Sequence, residues 1–429
     1  MQRFDYPALD ETAYRETLPN GLRLTVVPQK GFAKKLAYFA TDFGSIHTAF
    51  RLGGQEYTVP AGVAHYLEHK MFDLPGGRDV SAEFAALGAH SNAFTSYDMT
   101  AYYFSCTEHF EENLKLLLEF VSTPYFTQES VDKERVIIDQ EIGMNDDSPD
   151  SALFELLAAG MYRVHPVRVP ILGTHETIRE ITPEILYLCH RAFYAPGNMT
   201  LCVLGDVDPE GVIALARQVL GDEKREVAEK LRDWQEDMTP AEPYVHANME
   251  VAMPTFTMAV KCESPGTGEE AIRQEMVADL AAEALFGESS DLYLKLYEEG
   301  LIDGSFGGGF ETVDGCALLT CGGDSRNAQA VAEAILARME ALRATGITEE
   351  SFECMKRSAQ GRRIKGLDSF DSTCFRLCSY CFSDFDYFRF PEVYSRIRKT
   401  DVEAFLNRAV TRQRLALCVI DPISKEETL

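Results

Sequence analysis

Apolar and polar positions along this chain switch between two periods, and the switches mark its elements. Leu22 to Val27 reads as a strand, and a second extended region follows from Leu36 to Arg51. Thr58, with Pro60 in the first turn, predicts a helix running through Phe72 until Pro75-Gly76-Gly77 stops it. Ser81 to Leu87 predicts a second, short helix. Asn92 to Cys106 is rich in Thr, Tyr and Phe and reads as strand, whereas Phe110–Val121 and Ser130–Met144 carry apolar residues at helical spacing.

The second half echoes the first. A helix-like stretch, Thr182 to Tyr194, leads into a strand, Met199 to Leu204, and Thr400–Val410 leads in the same way into Leu415–Ile420. Leu201-Cys202-Val203-Leu204 resembles Leu417-Cys418-Val419-Ile420. Between the halves, charges cluster from Asp222 to Glu226, and Pro240 and Pro243 follow. The pattern predicts an α+β fold of two homologous lobes, each a mixed, largely antiparallel sheet packed with helices. Their expected bounds are residues 1–225 and 244–429, with a linker over 226–243.

Composition narrows the function. A length of 429 residues, 45% hydrophobic and 25% charged, fits a folded protein of two or three domains. Forty-one Lys and Arg against 68 Asp and Glu leave a net charge of -27, a field that repels a phosphate backbone. Nucleic-acid binding is therefore not expected. No run of 18 uninterrupted apolar residues occurs, and the first residues lack the basic-then-apolar layout of a secretory signal. The expectation is a cytoplasmic protein with no membrane partner. Its eleven cysteines sit mostly in apolar runs and read as reduced core residues.

The sharpest chemical signal is His65-Tyr66-Leu67-Glu68-His69, inside a predicted helix. Offsets of three and four residues put both imidazoles and the carboxylate on one helical face, where two histidines grip one ion. Zinc in a catalytic site takes three protein ligands and keeps a fourth position open, so one further ligand must come from elsewhere. Glu134 and Glu141 lie two helical turns apart on one face of a later helix; one suits the ion, the other suits a histidine's second nitrogen. Spacing leaves open which does which.

His65-x-x-Glu68-His69 followed by Glu134 and Glu141 resembles the inverted zinc motif of the pitrilysin/insulysin metallopeptidases, which include mitochondrial processing peptidase. Asn92-Ala93-Phe94-Thr95 with Asp98, Thr100 and Tyr102, then Gly173-Thr174-x-Glu176-x-Ile178 and Tyr194-x-Pro196-x-Asn198-Met199, are similar to stretches of the same family. The resemblance implies a processing-peptidase/LuxS-like metallohydrolase fold and a zinc-dependent endopeptidase. It implies Zn2+ on His65, His69 and Glu141, Glu68 as general base, and Glu134 as a catalytic support. It further implies peptide substrates added as a strand along Ser91–Thr95, in contact with Asn92 and Ala93.

Active members of that family carry an Arg and a Tyr in the second half that hold the substrate. The matching stretch here is Leu296-Tyr297-Glu298-Glu299-Gly300-Leu301-Ile302-Asp303, and no arginine occurs between Arg273 and Arg326. Large members close four such lobes into a chamber, so two lobes imply a second chain: a paralogue lacking the zinc motif, in a heterodimer, or a second copy. Two other readings compete. One is a non-catalytic assembly subunit of the same fold, which typically lacks the zinc motif that is intact here. The other is an iron-sulfur protein, since Cys374-x-x-x-Cys378-x-x-Cys381 has the spacing of a cluster motif. Against it, offsets of four and seven equally describe one buried face of a helix.

Overall fold

A computed structural model describes residues 1–423. It has two compact units. The first comprises Met1–Ile142, Pro170–Arg232 and Ile364–Phe390, and the second Gly143–Val169, Asp233–Arg363 and the chain from Pro391 onward.

The first unit is built on a seven-stranded sheet in the order Gln2–Tyr6, Glu11–Thr17, Arg23–Pro28, Met199–Gly205, Lys35–Thr41, Thr100–Cys106 and His90–Thr95. Arg23–Pro28 and Met199–Gly205 run parallel; the other neighbours are antiparallel. Every residue of Met199–Gly205 is buried, because both faces of this central strand are covered. Leu201 and Val203 join the core shared with the helices Val63–Lys70, Phe110–Ser122 and Pro183–Phe193. The helix Phe370–Phe382 packs on Met199–Gly205 and Lys35–Thr41.

The second unit's sheet runs Tyr244–Met249, Leu415–Pro422, Thr255–Cys262, Cys316–Asp324 and Gly307–Val313. Its first pair is parallel and the rest antiparallel. Five strands of the first sheet, from Arg23–Pro28 to His90–Thr95, follow the same spatial order, the same chain order and the same strand senses. The fold is thus the expected α+β type, with one topology used twice.

Two features depart from the sequence-based expectation. The bounds 1–225 and 244–429 do not match the compact units, which interleave along the chain. The helix Pro149–Met161 packs on Leu415–Pro422, Thr255–Cys262 and Tyr244–Met249, while Phe370–Phe382 covers the first sheet. Each sheet has an apolar face to bury, and the helix that buries it comes from the other half of the chain. Within residues 226–243, Glu229–Lys230 pairs with Ala49–Leu52.

The helix expected from Thr58 begins only at Val63. Ala49–Leu52 and Gln55–Thr58 form a hairpin instead, turned at Gly53 and Gly54, both with positive φ. Gly62 precedes the helix at φ 86, a left-handed conformation that favours glycine. A Cβ there would stand 2.4 Å from the Leu172 carbonyl oxygen, so the loop over residues 172–173 closes on the start of the helix only because position 62 is glycine.

Candidate metal centre

The helix Val63–Lys70 is buried on nearly every side, and His65 and Glu68 are themselves buried. Its histidine rings stand 4.6 Å apart, centroid to centroid. Across from them lies the long helix Gln128–Asp146, anchored by buried Val131, Ile138 and Ile142. That anchoring turns Glu134 and Glu141 toward the histidines.

Glu141 Oε1 lies 3.7 Å from His65 Nε2, and its Oε2 lies 3.6 Å from His69 Nε2. These separations exceed a good hydrogen bond. They are close to the roughly 3.3 Å between two ligands that each sit ~2.0–2.1 Å from a tetrahedral zinc. One donor atom from each of His65, His69 and Glu141 falls within 4.8 Å of the others, and among the described residues no other group of His, Cys, Asp and Glu meets that test. Two imidazoles and one carboxylate are a donor set that suits zinc.

Glu134 does not join that group. Its Oε1 is 2.9 Å from His69 Nδ1. With the proton on Nδ1 donated to this carboxylate, the lone pair of Nε2 faces Glu141. The hydrogen bond from His69 holds the Glu134 carboxyl below its usual range. Burial works to lower the His69 pKa, but the Glu134 bond and the charges of Glu68, Glu134 and Glu141 leave it raised. His65 is pushed down to about 3, by burial first and then by His69, so its ring is neutral and able to ligate.

Glu68 shares the helical face of the two histidines. Burial raises its pKa, opposed by a hydrogen bond from Thr95. Thr95 Oγ1 donates to Glu68 Oε2 over 2.6 Å. Thr95 ends the strand His90–Thr95, the last strand of its sheet, which pairs on one side only. Asn92 and Ala93 lie on this edge strand, and the Asn92 Oδ1 accepts from the Ala93 N–H at 2.9 Å. Sequence reasoning placed Thr95 at the end of the expected substrate edge but gave its hydroxyl no part in holding Glu68. The signal available was strand alternation, which sets Thr95 on the same face as Ala93, toward the metal helix.

The cysteine motif forms no such centre. Cys374 and Cys378 are fully buried on the helix Phe370–Phe382, and all eleven cysteines are free. Burial of the Cys374 thiol raises its pKa, which keeps it protonated.

A family model described as insulinase, peptidase family M16, matches residues 54–175, and one described as the peptidase M16 inactive domain matches residues 180–359. The uncharacterized zinc protease YmfH of Bacillus subtilis is 39% identical over 432 residues, covering 99% of this chain and all of that protein. The chain belongs to peptidase family M16. All five acid and imidazole residues of the centre fall in the span of the first M16 model. Among solved structures, an M16-like peptidase of Alicyclobacillus acidocaldarius superposes with a TM-score of 0.93 at 32% identity, covering 98% of this chain and 100% of that one. The periplasmic protease PqqL of Escherichia coli shares the M16 fold at 19% identity and a TM-score of 0.72; this chain spans 48% of its length.

Proposed function

We propose that this chain is the zinc-bearing subunit of a cytoplasmic M16 endopeptidase that hydrolyses peptides or small unfolded polypeptides. One observation carries the reading: His65, His69 and Glu141 converge at ligand spacing while Glu68 stands on the same helical face, held by Thr95. The name zinc protease borne by relatives such as YmfH supports it.

In this reading His65, His69 and Glu141 hold the ion, and Glu134 fixes the tautomer of His69. Zinc, when bound, supplies Lewis acidity toward a water molecule and a peptide carbonyl. Glu68 takes the proton from the attacking water and passes it to the leaving amine, a role that suits a carboxylate whose pKa burial has raised. Substrate joins the sheet beside His90–Thr95, where the open edge offers backbone groups and Asn92 and Ala93 line the way.

The stretch from Leu296 to Asp303 holds no arginine, so the groups that steady the substrate carbonyl come from a second chain. A paralogue bearing the Arg and Tyr is the proposed partner, in a heterodimer; a homodimer is the alternative. The test is hydrolysis of a mixture of unfolded peptides by the zinc-loaded chain, with and without such a paralogue, read by mass spectrometry. Cleavage that needs both chains and disappears with Glu68→Gln supports the proposal. Full activity of the lone chain removes the partner from it, and activity that survives Glu68→Gln removes the general base.

A further inference from the structure

Beside the two histidines, a second pair of side chains on the same helix has no part in the chemistry above. Tyr66 and Lys70 are one turn apart, rotated by about 100° from His65 and His69. Both are almost fully buried, Tyr66 at 0% and Lys70 at 1% exposure. The Tyr66 hydroxyl donates to the Val131 carbonyl oxygen. The Lys70 ammonium pairs with Asp73 and donates to the Ser130 carbonyl oxygen at 3.3 Å. Ser130 and Val131 are consecutive residues in the first turn of Gln128–Asp146, the helix that carries Glu134 and Glu141.

We propose that Tyr66 and Lys70 are positioning residues, a two-point clamp that sets where the carboxylate helix lies and thereby the distance of Glu141 and Glu134 from the histidines. The inference rests on the metal reading above. Two adjacent carbonyls gripped from one neighbouring helix fix both the approach and the rotation of the gripped turn. Glu134 follows one turn later. Glu141 stands ten residues past Val131, roughly 15 Å along the axis at 1.5 Å per residue, so a small tilt at the clamp displaces it by a comparable fraction of its reach. An ammonium buried this far is costly unless paired, and an apolar side chain of similar volume would fill the space at less expense. Its presence here fits a demand for register.

The test compares Tyr66→Phe and Lys70→Met with Leu117→Ala, which opens a cavity in the same core on the helix Phe110–Ser122, which carries no residue of the metal centre. Zinc affinity is read by chelator competition, the ligand field by cobalt(II) absorption, and the order of residues 128–146 by amide hydrogen exchange on metal-free protein. The clamp predicts about tenfold or greater loss of zinc affinity in Tyr66→Phe and Lys70→Met, a shifted cobalt spectrum, and faster exchange confined to 128–146. Leu117→Ala should lose thermal stability and keep its zinc affinity. Should Lys70→Met fail to fold, Tyr66→Phe decides alone. Wild-type affinity, spectrum and exchange in the clamp variants overturn the proposal, as does an equal affinity loss in Leu117→Ala. A wild-type chain that takes up no zinc fails the metal reading instead, and the exchange data still decide the clamp.

Discussion

Thr95 Oγ1 and Glu68 Oε2, 2.6 Å apart, join the last residue of the sheet's edge strand to the buried carboxylate of the metal helix. One oxygen of Glu68 is thereby occupied and oriented, leaving the other for a reacting water. A hydrogen bond to a charged group contributes about 1.5–3 kcal/mol. Thr95→Val should therefore lower kcat by about tenfold or more while zinc content and KM stay near wild type. Thr95→Ser keeps the hydroxyl and should recover most of the rate. Steady-state kinetics of the assembled enzyme check this; an unchanged kcat in Thr95→Val would show the bond to be catalytically idle.

Glu68→Gln keeps size and burial but removes the base. Activity should fall by about 100-fold or more, with zinc binding retained, because Glu68 is outside the converging set of donors. Metal analysis on the same preparation separates loss of base from loss of metal.

Glu134 acts through His69 alone, so Glu134→Gln should weaken zinc binding by about 10–100-fold without abolishing it. Chelator competition measures the change. Complete loss of zinc in this variant would make Glu134 a ligand in its own right.

In the second unit, Glu236 accepts from the backbone N–H groups of Arg163, Val164 and His165 and from buried Lys261. Burial alone would raise its pKa, but these donors pull it down to about 2. The folded value lies below the unfolded one, so its contribution is complete above pH 4.5 and is lost as pH falls toward 2. Glu236→Gln removes the counter-charge of the Lys261 ammonium, leaving it the Met161 carbonyl oxygen and the Tyr162 ring, and should cost about 3 kcal/mol or more at neutral pH. Denaturant unfolding from pH 2 to pH 7 should show the gap between wild type and variant closing on the acid side; a constant gap would assign the effect to packing.

Much of this was legible in the amino-acid sequence, for identifiable reasons. The spacing of His65, Glu68 and His69 dictates a shared face in any helix, and the structure places them on one. The echo of Leu201–Leu204 in Leu417–Ile420 marks two strands that occupy equivalent positions in sheets of the same topology. Glu134 and Glu141 were visible as a pair, but only distances separate the one beside His69 Nδ1 from the one facing both Nε2 atoms. The late start of the metal helix hid behind Thr58 and Pro60, which fit a helix N-terminus locally. The left-handed Gly62 is set by the distant loop at residues 172–173, and the hairpin before it by the turn at Gly53 and Gly54. The interleaving of Pro149–Met161 and Phe370–Phe382 was invisible for a similar reason: helical periodicity says that a face is buried, never which sheet buries it.

Zinc held by two imidazoles and Glu141 is tested most directly by the metal content of purified chain after dialysis, wild type beside Glu141→Gln. One equivalent of zinc in the wild type and a substoichiometric, easily removed remnant in the variant is the predicted result. Equal zinc in both, or none in the wild type supplied with zinc, would contradict it.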